Sequence, residues 1–310
     1  MKLCVILNSN AGSLLGMPVT DAIAEVEHGF RDAGHDVVCV ASAGADVPDA
    51  LRRALDRPGV DTIVVGGGDG TIVTAAHLLH GTGCTLGVLP LGTMNLLARD
   101  LGLPLDLPGA VRALAHGRPE RIDMAEVNGH PFLNNSVIGW YPRMVAEREH
   151  QRGAHHIRKW PAMALAAAKT LVDNRRLSVE VDLGTGPQRI QTPILAVANN
   201  VYDGGFGPIL RRSTLTAGKL GVYIAHYRSR FGLLALATGF AVGRWQELPG
   251  IDTHEVHSLT VHTRRRRRIK VANDGEVLEL ETPLRYRILP EALTVLRPAS
   301  EEPASLRQTA

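Results

Sequence analysis

The first third of the chain alternates short apolar runs with amphipathic stretches. Lys2 to Leu7, Asp36 to Val40, Ile63 to Val65 and Thr85 to Leu89 are rich in β-branched or aliphatic residues and have strand length. Runs with so little polar surface suit parallel strands covered on both faces. Between them, Val19 to Ala33 repeats apolar residues at helical spacing through Ile23, Val26 and Phe30, and Val47 to Leu55 reads as a second helix. A third helix is expected from Val73 to Leu79. Strand–helix alternation of this kind predicts an α/β domain with a parallel sheet, placed over residues 1–120. Ligands of such sheets bind at the carboxyl ends of the strands. The polar turns Asn8–Gly12, Gly66–Thr71 and Gly92–Asn95 all follow strands and therefore belong to that edge.

From about Arg121 the period changes. Arg121 to Val127, Asn128-Gly129 and His130 to Val137 carry a hairpin signature with an Asn-Gly turn. Arg143 to Gln151 and Lys159 to Asp173 read as helices. Leu177 to Leu183 and Gln188 to Ala198 form a second hairpin, and Leu220 to His226 is a further strand. Phe231 to Val242 reads as a helix interrupted by glycine, and His254 to Arg264, Arg266 to Ala272, Glu276 to Glu281 and Leu284 to Ile288 as strands. An antiparallel β-sandwich over residues 121–297 is the expectation, with a return of the last strand to the first domain left open. Residues 298–310 are polar and expected to be a disordered tail.

Composition adds limits. With 310 residues the chain has room for two self-sufficient cores. Its 45% apolar and 21% charged content is that of a globular protein, and a net charge of +3 does not point to a nucleic-acid partner. Cys4, Cys39 and Cys84 lack paired spacing and lie in or beside apolar runs, so they read as buried thiols in a reducing compartment. The opening apolar run is too short for a signal peptide, and Phe231 to Val242 falls short of the ~20 residues that span a bilayer. A cytoplasmic location is expected, with peripheral contact to the inner face of the membrane left open.

The chemistry concentrates in Gly66-Gly67-Gly68-Asp69-Gly70-Thr71. Glycine tolerates positive φ and allows close approach to the backbone. A glycine turn entering a helix leaves N–H groups directed outward, which suits a phosphate. Thr71 stands where an N-cap hydroxyl belongs. The same residues also make an ordinary strand-to-helix turn. Asn8 and Asn95 have the same two readings, as turn residues or as ligand contacts.

Together with Pro90-Leu91-Gly92-Thr93-Met94-Asn95-Leu96-Leu97-Ala98-Arg99 and Asp274-Gly275-Glu276, this stretch resembles the diacylglycerol kinase catalytic-domain family, which includes bacterial lipid kinases and the sphingosine and ceramide kinases. The first motif alone is shared with phosphofructokinases and NAD kinases. The resemblance implies a Rossmann-like, phosphofructokinase- and NAD-kinase-like nucleotide domain plus an antiparallel β-sandwich domain, with ATP and substrate meeting between them. It implies ATP contacts at Asn8, Gly12, Gly67, Gly68, Asp69, Gly70, Thr71, Thr93 and Asn95. It assigns the base that accepts the substrate hydroxyl proton to Asp274 or Glu276, with Glu276 ahead. Asp274-Gly275 is equally a hairpin-turn signature.

Mg²⁺ is the implied metal, with Asp123 linked to it through water and the backbone of Leu215 contributing from a metal-holding loop. That loop reads Leu215-Thr216-Ala217-Gly218-Lys219-Leu220, with Ala217 at the aspartate position. Leu96, and Ala41 with Ser42, are further departures. The implied partner is a lipid substrate at a membrane surface. No nucleic acid is expected, and a homodimer is left open.

The basic run Arg264 to Arg268, followed by Lys270, reads as a solvated strand or as a surface attracted to anionic lipid. Arg148, Arg152, Arg158 and Lys159 form a second basic cluster, and His155-His156 lacks ligand spacing. The function expected is an ATP-dependent lipid kinase acting on a hydroxyl of diacylglycerol or a related lipid. The alternatives are an NAD-kinase-like or other small-molecule kinase, and a catalytically impaired nucleotide- or lipid-binding regulator.

Overall fold

The computed structural model describes residues 1–142 other than 15, residues 177–226 other than 207–208, and residues 250–299 other than 264–265, with the single residues 145, 232 and 239. The expected helices Arg143–Gln151 and Lys159–Asp173, nearly all of Phe231–Val242, the second basic cluster and the tail from residue 300 onward lie outside the described residues. The chain divides into two compact units, residues 1–122 with 292–310, and residues 123–291.

The first unit is a parallel α/β sheet. Strands β1 (Lys2–Asn8), β2 (Asp36–Ser42), β3 (Thr62–Gly67) and β4 (Thr85–Pro90) run in the order β2-β1-β3-β4 with every pair parallel. All residues of β3 and β4 are buried, as a strand apolar on both faces requires. Helices α1 (Val19–Asp32), α2 (Val47–Leu55), α3 (Asp69–Leu79), α4 (Leu96–Asp100) and α5 (Leu107–Ala115) follow in chain order. α1 buries Ala22, Val26 and Phe30, so its seam runs through Ala22 rather than the expected Ile23. Asp106 caps α5, its carboxylate accepting from the Gly109 N–H at 2.7 Å. α3 begins at Asp69, four residues before the apolar pattern starts, and its N-cap is Gly68. Thr71 therefore lies inside the first turn and is not the cap. Polar residues of a first turn carry no hydrophobic signal, which is why the pattern misses them.

The second unit is antiparallel. Its strands are β5 (Arg118–Val127, shared with the first unit), β6 (His130–Phe132), β7 (Asn135–Gly139), β8 (Leu177–Asp182), β9 (Pro187–Thr192) and β10 (Ile194–Asn199). The short ribbon β11 (Gly204–Phe206) and β12 (Ile209–Arg211) follows, then β13 (Leu220–Ala225), β14 (Ile251–Val256), β15 (Ser258–His262), β16 (Arg268–Asn273), β17 (Glu276–Glu281) and β18 (Leu284–Arg297). One sheet has the order β14-β13-β10-β7-β16-β17. A second layer joins β18, β15, β8 and β9, with β5 beside β18 and paired to β6. Phe132, Ile138, Val181, Leu195, Val197, Val222, Val261, Val271 and Tyr286 come from both layers into one buried cluster, the core of a sandwich. Phe132 and Tyr286 meet edge-on at 6.4 Å between centroids.

Three expected strands are each divided between the layers. His130–Val137 breaks at Leu133-Asn134, where the backbone N–H groups turn to a carboxylate described below. Gln188–Ala198 breaks at Pro193, which has no N–H for the ladder, and Thr192 Oγ1 there donates to Ala225 O at 2.8 Å. His254–Arg264 breaks at His257. Conversely, the expected Leu284–Ile288 is the start of a 14-residue strand. β18 leaves the second unit at Ala292, and its Val295 pairs in parallel with Leu86 of β4 inside the first unit.

Candidate active site

In the first unit the three polar turns at the ends of β1, β3 and β4 are tied to one another. Asn8 Nδ2 donates to Thr71 Oγ1 at 3.0 Å, and Asn8 Oδ1 accepts from the Asn10 N–H at 3.0 Å. Asp69 reaches the third turn, its Oδ2 accepting from the Asn95 N–H at 3.0 Å and its Oδ1 from the Leu96 N–H at 2.7 Å. Asn95 closes its own turn. Its Oδ1 accepts from the Gly92 N–H and its Nδ2 donates to Gly92 O, both at 2.9 Å. It holds a left-handed φ of 51°, which asparagine tolerates.

The glycines have a different purpose from the one the motif first suggests. None of Gly66, Gly67, Gly68, Gly70 and Gly92 has positive φ. A Cβ on Gly92 would stand 2.5 Å from Gly68 Cα, so the second and third turns touch backbone to backbone. A Cβ on Gly67 would meet Thr71 Cβ at 2.6 Å. Gly12 and Gly70, in contrast, have nothing within 4 Å of a built Cβ. The side chains of Asn8, Asp69 and Asn95 hold the turns together. The open surface is left to Gly12, Gly70, the exposed Thr93 and the first-turn N–H groups of α3, which have no acceptor within the helix.

In the second unit, Asp274 and Gly275 form the two-residue turn between β16 and β17. Their φ values of 48° and 87° are both positive, as a type I′ hairpin demands. The Asp274 side chain does more than shape the turn. Its Oδ2 accepts from the Leu133 N–H at 2.6 Å, and its Oδ1 from the N–H groups of Asn134 and Asn135 at 2.7 and 3.0 Å. Asp274 N–H donates in turn to Asn135 O at 2.8 Å. Glu276 opens β17 and is exposed, and its carboxylate has no hydrogen-bond partner among the described residues.

Two family models cover nearly the whole chain. The diacylglycerol kinase catalytic domain matches residues 2–127, and the YegS C-terminal NAD kinase beta sandwich-like domain matches residues 143–297. The chain belongs to the diacylglycerol kinase family. It is 29% identical over 290 residues to a diacylglycerol kinase of Mycobacterium tuberculosis, covering 89% of this chain and 88% of that protein. It is 38% identical over 122 residues to a Klebsiella pneumoniae protein named "Probable lipid kinase YegS-like", covering 38% of this chain and 41% of that one. The match to a longer Synechocystis protein spans 61% of that protein's length. A crystal structure titled as a diacylglycerol kinase from Bacillus anthracis superposes with a TM-score of 0.70 at 19% identity, over 96% of both chains, so the fold is shared.

Family membership directs attention to the implied Mg²⁺ ligands, and the residues present do not fit a resident ion. Asp123 is 1% exposed, and its two oxygens accept from the N–H groups of Gly218 and Glu291 at 2.7 and 3.0 Å. Leu215 O accepts from the Asp123 N–H at 2.8 Å. Among the described residues no three His, Cys, Asp or Glu side chains gather in a metal-holding group.

No motif or hydrophobic period flags the groups around this loop. Arg212 is 5% exposed and donates from Nη1 to Leu133 O and Asn199 O at 2.8 and 2.9 Å. Asn199 Nδ2 donates to Asp123 O and Leu133 O at 2.8 and 3.0 Å. The segment through Leu133 is therefore held on its N–H side by Asp274 and on its carbonyl side by Arg212 and Asn199. An arginine beside Arg211 in a polar stretch carries no sign of burial in the sequence.

Proposed function

We propose that the chain is an ATP-dependent lipid kinase that transfers the γ-phosphate of MgATP to a hydroxyl of diacylglycerol or a related lipid. The observation that carries this is the cross-tied set of turns, which leaves the N-terminus of α3 open beside Gly70 and Thr93. Backbone N–H groups in that arrangement receive phosphate oxygens with no Cβ in the way, and Thr93 adds a hydroxyl donor. Asn8, Asp69 and Asn95 position this surface through the bonds they make to its backbone.

Glu276 is the group we assign as proton acceptor for the lipid hydroxyl. Asp274 already accepts three backbone N–H bonds, whereas the Glu276 carboxylate has none among the described residues. A positioned base of this kind contributes about 10²–10⁴-fold to the rate. The names of relatives support a lipid acceptor, and a membrane surface is where such a substrate resides. No described helix is long and apolar enough to cross a membrane.

A panel of lipid alcohols incubated with the purified chain and labelled MgATP tests the proposal. Label entering the lipid fraction, and lost in Glu276→Gln, is expected. Nucleotide binding without transfer to any lipid in the panel would favour the regulator, a reading that Ala217 in the metal-holding loop keeps in view.

A further inference from the structure

The loop Leu215–Leu220 carries Ala217 where the family resemblance implies a metal-holding aspartate, yet it is not left slack. Its Gly218 N–H donates to Asp123 Oδ2 at 2.7 Å, and its Ala217 N–H to Asn200 Oδ1 at 3.0 Å. Its Leu215 carbonyl accepts from the Asp123 N–H at 2.8 Å. The other Asp123 oxygen accepts from the Glu291 N–H at 3.0 Å. One buried carboxylate thus joins three segments of the second unit: β5, this loop and β18.

Mg²⁺ requires near-octahedral oxygen ligation at about 2.0–2.1 Å. At this loop both carboxylate oxygens and the Leu215 carbonyl already receive N–H donors, and position 217 offers no side-chain oxygen. Each of those oxygens keeps a second lone pair, but the loop offers a cation only a carboxylate and a carbonyl already engaged by N–H donors, and among the described residues no group of ligating side chains completes the set. Positive charge is present without a metal. Lys219 Nζ lies 3.0 Å from Glu255 Oε2 next to the loop. The buried Arg212 guanidinium binds the carbonyls of Leu133 and Asn199, and Asn199 in turn holds the carbonyl of Asp123.

We infer that the second unit is built without a resident divalent cation, the Asp123 clip and the Arg212 guanidinium holding together the segments that a metal-holding loop would otherwise organise. The Mg²⁺ of this chain then travels with ATP as part of the substrate. The inference concerns folding rather than transfer, so it stands or falls independently of the proposed kinase activity.

The test is thermal unfolding of the nucleotide-free full chain after exhaustive chelation, with and without millimolar MgCl₂, alongside elemental analysis of the protein as purified. The expected result is one Tm under both conditions and well under one equivalent of bound divalent metal. A resident ion at about a hundredfold over its Kd would raise Tm by several degrees. Such a rise, or one retained equivalent, overturns the inference. Asp123→Asn supplies a second readout, because an amide cannot accept from both Gly218 and Glu291 without turning its NH₂ toward a donor. The loss of Tm in this variant is expected to be equal in chelator and in MgCl₂. A loss seen only with MgCl₂ would make Asp123 a metal ligand and overturn the inference. Should Asp123→Asn not fold, the measurements on the unsubstituted chain decide alone.

Discussion

Replacing Asp274 by Asn and Glu276 by Gln separates a positioning carboxylate from a reacting one. Asn is the right replacement at 274, since it tolerates the φ of 48° that Ala would resist. Its single side-chain oxygen retains acceptors for at most part of the set that Asp274 satisfies at 2.6, 2.7 and 3.0 Å. Turned to keep Asn134 and Asn135, the new NH₂ group faces the Leu133 N–H. The charge assistance is lost and one donor is left unpaired, for a combined cost of about 2–4 kcal/mol. Glu276 is exposed and unpartnered among the described residues, so Glu276→Gln changes stability by no more than about 0.5 kcal/mol. Transfer to lipid in Glu276→Gln falls by about 10²–10⁴-fold. Trp140 lies in the second unit, so its fluorescence during urea unfolding follows the stability of that unit. Radiolabel transfer at saturating MgATP reports the chemistry. The reasoning is refuted if Glu276→Gln retains activity within tenfold while Asp274→Asn, with an unchanged unfolding midpoint, abolishes it.

Two glycine substitutions should part company. Gly92→Ala puts a Cβ 2.5 Å from Gly68 Cα, destabilising the first unit by about 1–3 kcal/mol and removing ATP binding, which calorimetry would show. Gly70→Ala meets open space, so thermal stability holds or rises by up to about 1 kcal/mol. ATP nevertheless weakens by about ten- to a hundredfold if a phosphate bond is lost there. Burial raises the thiol of Cys84 to about 11 and that of Cys39 to about 12, from an ordinary 9.0. Their contribution to stability is therefore intact below pH 9.0 and is lost as pH climbs towards those values, at up to about 1.4 kcal/mol per pH unit for each thiol. Urea midpoints between neutral pH and pH ~10.5 should fall less in Cys39→Ala/Cys84→Ala than in the natural chain. Arg212→Lys cannot reproduce the fork that reaches Leu133 O and Asn199 O, so a loss of about 2–4 kcal/mol is expected in the second unit.

The parallel sheet was legible because its strands are buried on both faces, and continuous apolar runs announce that directly. The sandwich was legible as a class but not in its connections. A strand that crosses from one layer to the other keeps its alternating pattern while changing partners. The crossing points are set by single groups: Pro193 lacking an N–H, or the Leu133-Asn134 N–H pair turned towards Asp274. The second of these depends on Asp274, more than a hundred positions away, which periodicity does not register. The start of α3 was misplaced for a related reason, since Asp69, Gly70 and Thr71 face the turns rather than the core.

The motifs mark the polar turns without separating the roles of their residues. Asn8, Asp69, Asn95 and Asp274 are all polar residues at glycine turns, and in each the side chain is already engaged with nearby backbone or a neighbouring hydroxyl. Phosphate is best received by donors that are fixed beforehand and lack protein partners, and fixing them requires internal bonds of this kind from their neighbours. Motif residues therefore separate into those that lock the turns and those left open for a ligand, Gly12, Gly70, Thr93 and Glu276. Sequence treats the two groups alike, because both must be small or polar. Geometry parts them, and it predicts that substitutions in the locking group change stability and binding together, whereas substitutions in the open group change binding or transfer alone.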